Sequence, residues 1–277
     1  MLCLIVRDIE RGLKMTNKEY HSHEAVSKSD LDLINKSPAH YIEAKMCPKE
    51  QTQSMLLGSV VHKLILEPET FCKEYAVCPE IDRRTKAGKE QWKEFTDGLT
   101  DDITVIDKAT YELALTVAEA VKNHPVASRL LTGGQAEQSY FWNHKSGIEC
   151  KCRPDYLRTD IKTVVDVKTT QDASPEEFTK TAYKFRYHVQ AAWYTDGLKQ
   201  CGIDVNNFMF VVVETKAPYN VMVYAADDNM MTLGRAEAEK NLETYISCKK
   251  SNNWHGYEES PKINSLSLPE WVLRKEF

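Results

Sequence analysis

Apolar positions along the chain alternate between two spacings, and the changes of spacing mark out the elements. Val26 to Ile34 repeats at the helical period, with Ser29 expected as the N-cap, and Ser37-Pro38 opens a second helix through Tyr41 and Ala44. Ser54 to Leu66 reads as a strongly apolar helix stopped by Glu67-Pro68. Gly58 and His62 lie four apart in it, hence on one face, and a glycine that weakens a helix there predicts that another group approaches closely. A polar helix around Gly88 to Phe95 follows the basic loop Ile81–Lys89. A long helix capped by Asp107 then buries Tyr111, Leu113, Leu115, Val117, Ala118 and Val121 until His124-Pro125 ends it. Short strands are expected at Tyr75–Cys78 and Thr104–Ile106.

From Glu137 onward the period falls to two. Glu137–Trp142, the turn at residues 143–147, Ile148–Leu157 and Ile161–Thr170 read as an antiparallel meander. Ser174-Pro-Glu-Glu177 has the capping-box pattern and opens a helix carrying Lys180 and Lys184. A second helix, His188–Gln200, places Gln190 and Tyr194 one turn apart. Strands at Asn207–Thr215 and Val221–Ala226 and a long helix over residues 227–250 complete the regular part. Residues 1–14 read as an upstream extension or flexible tail, since Met15-Thr-Asn-Lys-Glu-Tyr20 looks like a natural start. The segment from Asn252 to Phe277, with Trp254, Pro261, Pro269 and Trp271, has no regular period and suits a packed arm or an oligomer contact.

Composition narrows the class. With 277 residues, 42% hydrophobic and 28% charged, the chain can bury a substantial core and is an ordinary globular protein. A net charge of -5 gives no global sign of a nucleic-acid partner, yet residues 141–190 carry nine Lys or Arg against seven Asp or Glu, a local +2. Eight cysteines without a signal peptide read as reduced thiols in a cytoplasm, because Leu2–Val6 is too short for a secretion signal. Cys150 and Cys152 alternate onto one face as small buried residues, and the absence of any C-x-x-C argues against zinc ribbons and iron-sulfur clusters. No run approaches the length of a membrane span.

Candidate chemistry sits in the meander. Side chains two apart on a strand share a face, so Asp166 and Lys168 meet at one spot on Ile161–Thr170. Asp155, just after Pro154, can be brought beside them across the Arg158-Thr159-Asp160 turn. Two hard carboxylates suit Mg2+ or Mn2+, and an ammonium beside them can hold a water or a developing phosphate charge. Phosphodiester hydrolysis is the reaction these parts suit. Glu137, opening the first strand, could add a third carboxylate.

A helical Gly-x-x-x-His, a Glu on a strand, Pro-Asp, ten intervening residues, Asp-x-Lys and then Gln-x-x-x-Tyr occur in that order. The series resembles the PD-(D/E)xK nuclease superfamily, in its RecB-like branch that holds the RecE-type and lambda-type exonucleases. The stretches Ser27-Lys-Ser-Asp-Leu31, Ser37-Pro-Ala-His-Tyr41 and Leu57-Gly-Ser-Val-Val-His62 look closest to the RecE type, and the likeness spans roughly residues 15–260.

That resemblance implies an α/β (α+β) fold with a restriction-endonuclease-like core: a central mixed sheet flanked by helices, with N-terminal helical additions. It implies one nuclease domain over residues 15–277, with the catalytic core at about 54–226 and a C-terminal helix and tail over 227–277. Carried over residue by residue, Asp155, Asp166, the Val167 carbonyl and His62 become metal ligands, with Glu137 an additional acid near a second metal. Lys168 would position the attacking water, Gln190 and Tyr194 would hold the DNA backbone, and Ser27 and Ser29 would help bind a terminal 5′-phosphate. The implied activity is Mg2+-dependent 5′-to-3′ digestion of linear double-stranded DNA to mononucleotides, with Mn2+ able to substitute. The implied partners are a duplex with a free end, a ring-shaped homo-oligomer (trimer or tetramer) and a single-strand annealing protein of the RecT or beta type, in a bacterial or phage-encoded recombination role. Three other readings stay open: an endonuclease or Cas4-like nuclease on the same core, a silent DNA-binding module, and a structural protein that binds no metal. The missing cysteine cluster counts against the Cas4-like branch, and the paired carboxylates, which repel each other, count against a silent module.

Overall fold

The computed structural model describes residues 12–47, 51–100, 102–260 and 262–270. Its first half runs β1 (Leu13–Lys14), α1 (Asn17–Ser22), α2 (Lys28–Lys36), α3 (Pro38–Met46), α4 (Gln53–Leu66), a 3-10 turn (Pro68–Lys73), β2 (Tyr75–Val77), α5 (Lys86–Asp97), β3 (Thr104–Ile106), α6 (Lys108–Asn123) and α7 (Pro125–Leu130). The second half runs β4 (Gln135–Ala136), β5 (Gln138–Asn143), β6 (Glu149–Cys152), β7 (Tyr156–Arg158), β8 (Thr163–Thr170), α8 (Pro175–Lys184), α9 (Tyr187–Gln200), β9 (Asn207–Glu214), β10 (Val221–Ala225) and α10 (Asp228–Ser251).

Density of β-branched residues decides which strands lie at the centre. β8 and β9 pair in parallel, and β10, β7 and β4 extend them antiparallel into a mixed sheet of order β10-β9-β8-β7-β4. Alternation along these two strands splits the core. Val164, Phe208, Phe210 and Val212 face one side with Leu31, Val189, Leu198 and Leu242; Val165, Val167, Val211 and Val213 face the other with Val60, Val61, Val117 and Val121. Both faces are therefore covered by helices, which explains why β9 carries the unbroken apolar run Phe208–Val213. The expected mixed sheet flanked by helices is the observed architecture. Among the described residues no helix is long and apolar enough to cross a membrane.

Several local expectations change. The meander is not continuous: β5 and β6 pair with β1 in a separate three-stranded sheet, whereas β7 and β8 belong to the five-stranded one. Pro154 lacks the N–H that a continuing ladder needs, so the chain leaves one sheet after Cys152 and enters the other at Tyr156. Glu137 does not open a strand but sits between β4 and β5 with φ +52°, a left-handed conformation rare outside glycine. Ser27, not Ser29, caps α2; its side chain accepts from the Asp30 N–H while Asp30 accepts from the Ser27 N–H at 2.8 Å. At Ser174 the N-cap position is right, but the side chain makes no capping bond. A Cβ on Gly58 would meet only Thr169 Oγ1, at an ordinary 3.5 Å, so no close approach requires that glycine.

The chain ends also differ from expectation. Leu13 and Lys14, placed in an extension by the sequence pattern, pair with Ser139 and Gln138 of β5, while residues 1–11 lie outside the described residues. Two buried cations of β6 and its exit hold the segment that follows β1. Lys151 donates to the carbonyls of Tyr20 and His23, and Arg153 donates to Ser139 Oγ, Asn17 Oδ1 and the carbonyls of Met15 and Thr16. At the other end Trp254 stacks on Tyr41 at 5.3 Å, so the tail begins as a packed arm; Pro261 and Trp271 lie outside the described residues.

All described cysteines are free, and burial raises the thiol pKa of Cys150 to about 12 and of Cys201 to about 11, leaving them packed and unreactive.

Candidate active site

The exchange between the two sheets builds the site. Glu137 leaves β4 and Asp155 enters β7 at the same level, joined by a 3.1 Å hydrogen bond from the Glu137 N–H to the Asp155 carbonyl. Both carboxylates are thereby fixed at one seam, half-buried. His62, on the third turn of α4, reaches the same place: its Nδ1 lies 3.5 Å from Asp155 Oδ2. One ligand atom from each of His62, Glu137 and Asp155 lies within 4.8 Å of the other two. Asp155 is also oriented from β8, accepting a 2.7 Å bond from the Val167 N–H. The placement of Asp155 beside the second strand follows the sequence reading; the left-handed kink that turns Glu137 toward it has no sequence signature.

Asp166 is the deepest member of the cluster, with 0% exposure. Its Oδ2 accepts from Gln190 Nε2 on α9 and its Oδ1 meets Lys168 Nζ. Alternation on β8 does place acid and base on one face. Gln190 is buried and bonded to the carboxylate, so in this structure it orients Asp166. Tyr194, one turn on, is half-buried and packs edge-on against Phe208 at 6.4 Å. The Lys168 ammonium lies over the Tyr187 ring at 4.7 Å, a contact the sequence did not indicate, since a tyrosine at a helix start carries no distinguishing pattern.

Electrostatics follow from this crowding. Burial, then the Asp155 carboxylate, push Glu137 up to about 8, with Arg153 opposing. Burial and Asp155 likewise push Asp166 up to about 6, against the pull of Lys168. Burial would lower the pKa of Lys168, but Asp166 and Asp155 outweigh it and hold the pKa above the usual lysine range. Lys168 is therefore an ammonium at neutral pH and acts as a fixed positive charge, not as a base.

Ser27 and Ser29 are separated from this cluster in role. Ser27 is engaged in its cap and Ser29 is exposed. The residue between them is the one that points inward: Lys28 Nζ donates to the Phe185 carbonyl at 2.9 Å, pairs with Asp32 at 2.7 Å and lies 6.0 Å from the Tyr187 ring. No pattern distinguishes a lysine in a helix's first turn from a solvated one, so the sequence alone does not single out Lys28.

The donor set fits a hard divalent cation. Carboxylate oxygens suit Mg2+ and Mn2+, and an imidazole favours the softer Mn2+ of the two. A bound cation must displace the protons that the crowded carboxylates retain. Glu137 and Asp166 have folded-state values above their ordinary 4.5 and 3.8, so their stabilising contribution to the metal-free protein is lost as pH rises toward about 6 for Asp166 and about 8 for Glu137. The melting temperature of the metal-free protein is accordingly expected to fall between about pH 5 and 8. Saturating Mg2+ should raise it by an increment that grows with pH, because binding the ion releases those protons. Thermal unfolding with and without Mg2+ across this range checks both; a pH-independent increment would contradict the assignment.

Sheet order, the paired acids and the lysine two positions on define the class: a restriction-endonuclease-like domain of the PD-(D/E)xK type. Over residues 27–266 the chain matches the family described as a PDDEXK-like domain of unknown function (DUF3799), and it belongs to that family. A crystal structure of a presumptive exonuclease from Eubacterium rectale superposes with a TM-score of 0.62, covering 96% of this chain and 100% of that one at 14% identity. At that identity the likeness is one of fold. A phage-related exonuclease from Haemophilus somnus is 13% identical over 85% of this chain and 100% of its own, but its TM-score of 0.37 carries no argument. No curated protein matches the chain.

Proposed function

We propose that the protein is a metal-dependent exodeoxyribonuclease that digests linear double-stranded DNA from the 5′ end and releases 5′-mononucleotides. The observation that carries the reading is the convergence of the His62, Glu137 and Asp155 donors with the buried Asp166–Lys168 pair at one seam. His62, Glu137, Asp155 and Asp166 would hold the cation, which when bound supplies Lewis-acid polarisation of a phosphoryl oxygen.

The residues of the chain do the rest. The Val167 N–H and Gln190 keep Asp155 and Asp166 aimed, so that no reorganisation is needed during the reaction. Lys168 holds the attacking water and offsets negative charge as it spreads over the phosphoryl oxygens. The water oxygen gives up a proton to solvent and bonds to phosphorus, the bond to the 3′-oxygen breaks, and that oxygen takes up a proton from solvent. The released nucleotide keeps its 5′-phosphate, and the shortened strand carries a new one.

The 5′ polarity, the ring-shaped oligomer and the annealing partner of the RecT or beta type rest on the resemblance of motif order alone. End polarity is tested with linear duplex DNA labelled at either the 5′ or the 3′ terminus, with closed circles alongside. Early release of the 5′ label with circles left intact is the expected result. Cutting of closed circles would instead assign an endonuclease.

A further inference from the structure

Lys168 meets Asp166 from the same strand, two positions away. Its four-carbon stem is flexible, so one acid on its own strand fixes how far the ammonium reaches but not where it points. A second point of contact comes from another element. The ring of Tyr187, the first residue of α9, has its centroid 4.7 Å from the Lys168 ammonium.

That ring is itself held in place. Its centroid lies 5.9 Å from that of Phe210, 6.0 Å from Phe185 and 6.1 Å from Phe178, all within the range of favourable aromatic pairing. Phe178 and Phe210 are buried in the core, where close packing keeps them from yielding. The backbone just before the ring is pinned as well: Arg186 has φ +55°, and its guanidinium is bound by Asp32, Glu237 and Asn241. Lys28 also approaches the ring, at 6.0 Å, but its ammonium is already engaged by Asp32 and the Phe185 carbonyl. The face of Tyr187 is thus left to Lys168.

We propose that Tyr187 is a positioning residue whose π-face, rather than its hydroxyl, holds the Lys168 ammonium at the active-site seam. An aromatic face attracts a cation through its quadrupole and accepts no conventional hydrogen bond, so the ammonium keeps its N–H donors for other groups. A further carboxylate in that place would hold the ammonium too, but it would take up a donor and add negative charge where a phosphate must come. This assignment rests on the nuclease reading and deepens it, by naming what keeps the charge of Lys168 preorganised.

The test replaces Tyr187 with phenylalanine and with its mono-, di- and trifluoro forms, which keep the ring's shape while draining negative charge from its face. Two quantities are read along the series. One is kcat on linear duplex DNA in Mg2+; the other is the upfield displacement of the Lys168 ε-methylene protons in the NMR spectrum, which a ring current imposes only while the stem lies over the face. Both are expected to fall stepwise, kcat by about tenfold between Tyr187→Phe and the trifluoro form, with KM and the melting temperature unchanged. Tyr187→Leu should lose at least as much, and Tyr187→Phe should restore most of that loss. The fluorinated rings fill the same space, so the series decides the matter even where Tyr187→Leu unfolds. A kcat that stays flat along the series while DNA is cut, or a wild-type spectrum without displaced ε-methylene protons, overturns the assignment. A stepwise loss of the displacement in a protein that never cuts DNA would uphold the hold of the ring on Lys168 and sink the nuclease reading.

Discussion

Lys168→Ala is expected to lower the rate of DNA hydrolysis by about 10²–10³-fold, the range for removal of one preorganised charge-stabilising group. The ammonium is held between Asp166 and the Tyr187 ring and stays protonated at neutral pH, so its contribution is electrostatic. Loss of a fixed charge beside the phosphate acts on the transition state more than on the ground state, and the fall should appear in kcat with little change in KM. Metal binding should persist, because His62, Glu137, Asp155 and Asp166 are all retained and Gln190 still orients Asp166. Lys168→Arg should rescue poorly, since a planar fork does not reproduce a compact ammonium over a ring. Initial rates set beside calorimetric metal binding separate these effects. A variant that cuts at the wild-type rate would remove Lys168 from the mechanism.

The second large effect lies away from the chemistry. Gly234 is buried in α10 where that helix crosses α9, and a Cβ there would sit 2.1 Å from the His188 carbonyl oxygen and 3.0 Å from the Ala192 Cβ. Neither a helix carbonyl nor a buried methyl can move aside cheaply. Gly234→Ala is expected to destabilise the fold by about 3 kcal/mol, which in a domain of this size lowers the melting temperature by about 10 °C. Because α9 carries Gln190, a forced shift of that helix should also loosen Asp166 and reduce activity in whatever fraction stays folded. Thermal unfolding followed by circular dichroism measures the first effect. An unchanged melting temperature would mean that the two helices do not pack as described.

Much of this arrangement was legible in the chain. The period-two run at Thr163–Thr170 fixed both the central strand and the shared face of Asp166 and Lys168, because alternation is a geometric property of any strand. Helix limits at Asp107, Ser37-Pro38 and Glu67-Pro68 followed from capping and from proline's missing donor. Three features were not legible. Glu137's turn toward Asp155 depends on a left-handed backbone at a glutamate, which only tertiary contacts sustain. The division of the meander into two sheets depends on which partners β6 and β7 find, and local sequence does not specify partners. The bond from Gln190 to Asp166 joins residues on separate elements, and the Gln-x-x-x-Tyr spacing says only that Gln190 and Tyr194 share a helix face.

The central claim is that this seam hydrolyses DNA with a divalent cation. Its most direct test is the release of acid-soluble nucleotides from linear duplex DNA by the purified protein in Mg2+, in Mn2+ and in EDTA, beside Asp155→Ala and Asp166→Ala. The account predicts release with either metal, none in EDTA, and a loss of about 10³-fold or more in both variants, as expected when a Lewis acid worth several kcal/mol can no longer be held. Release that persists in EDTA or in Asp166→Ala, or no release by a folded wild type with either metal, would contradict it.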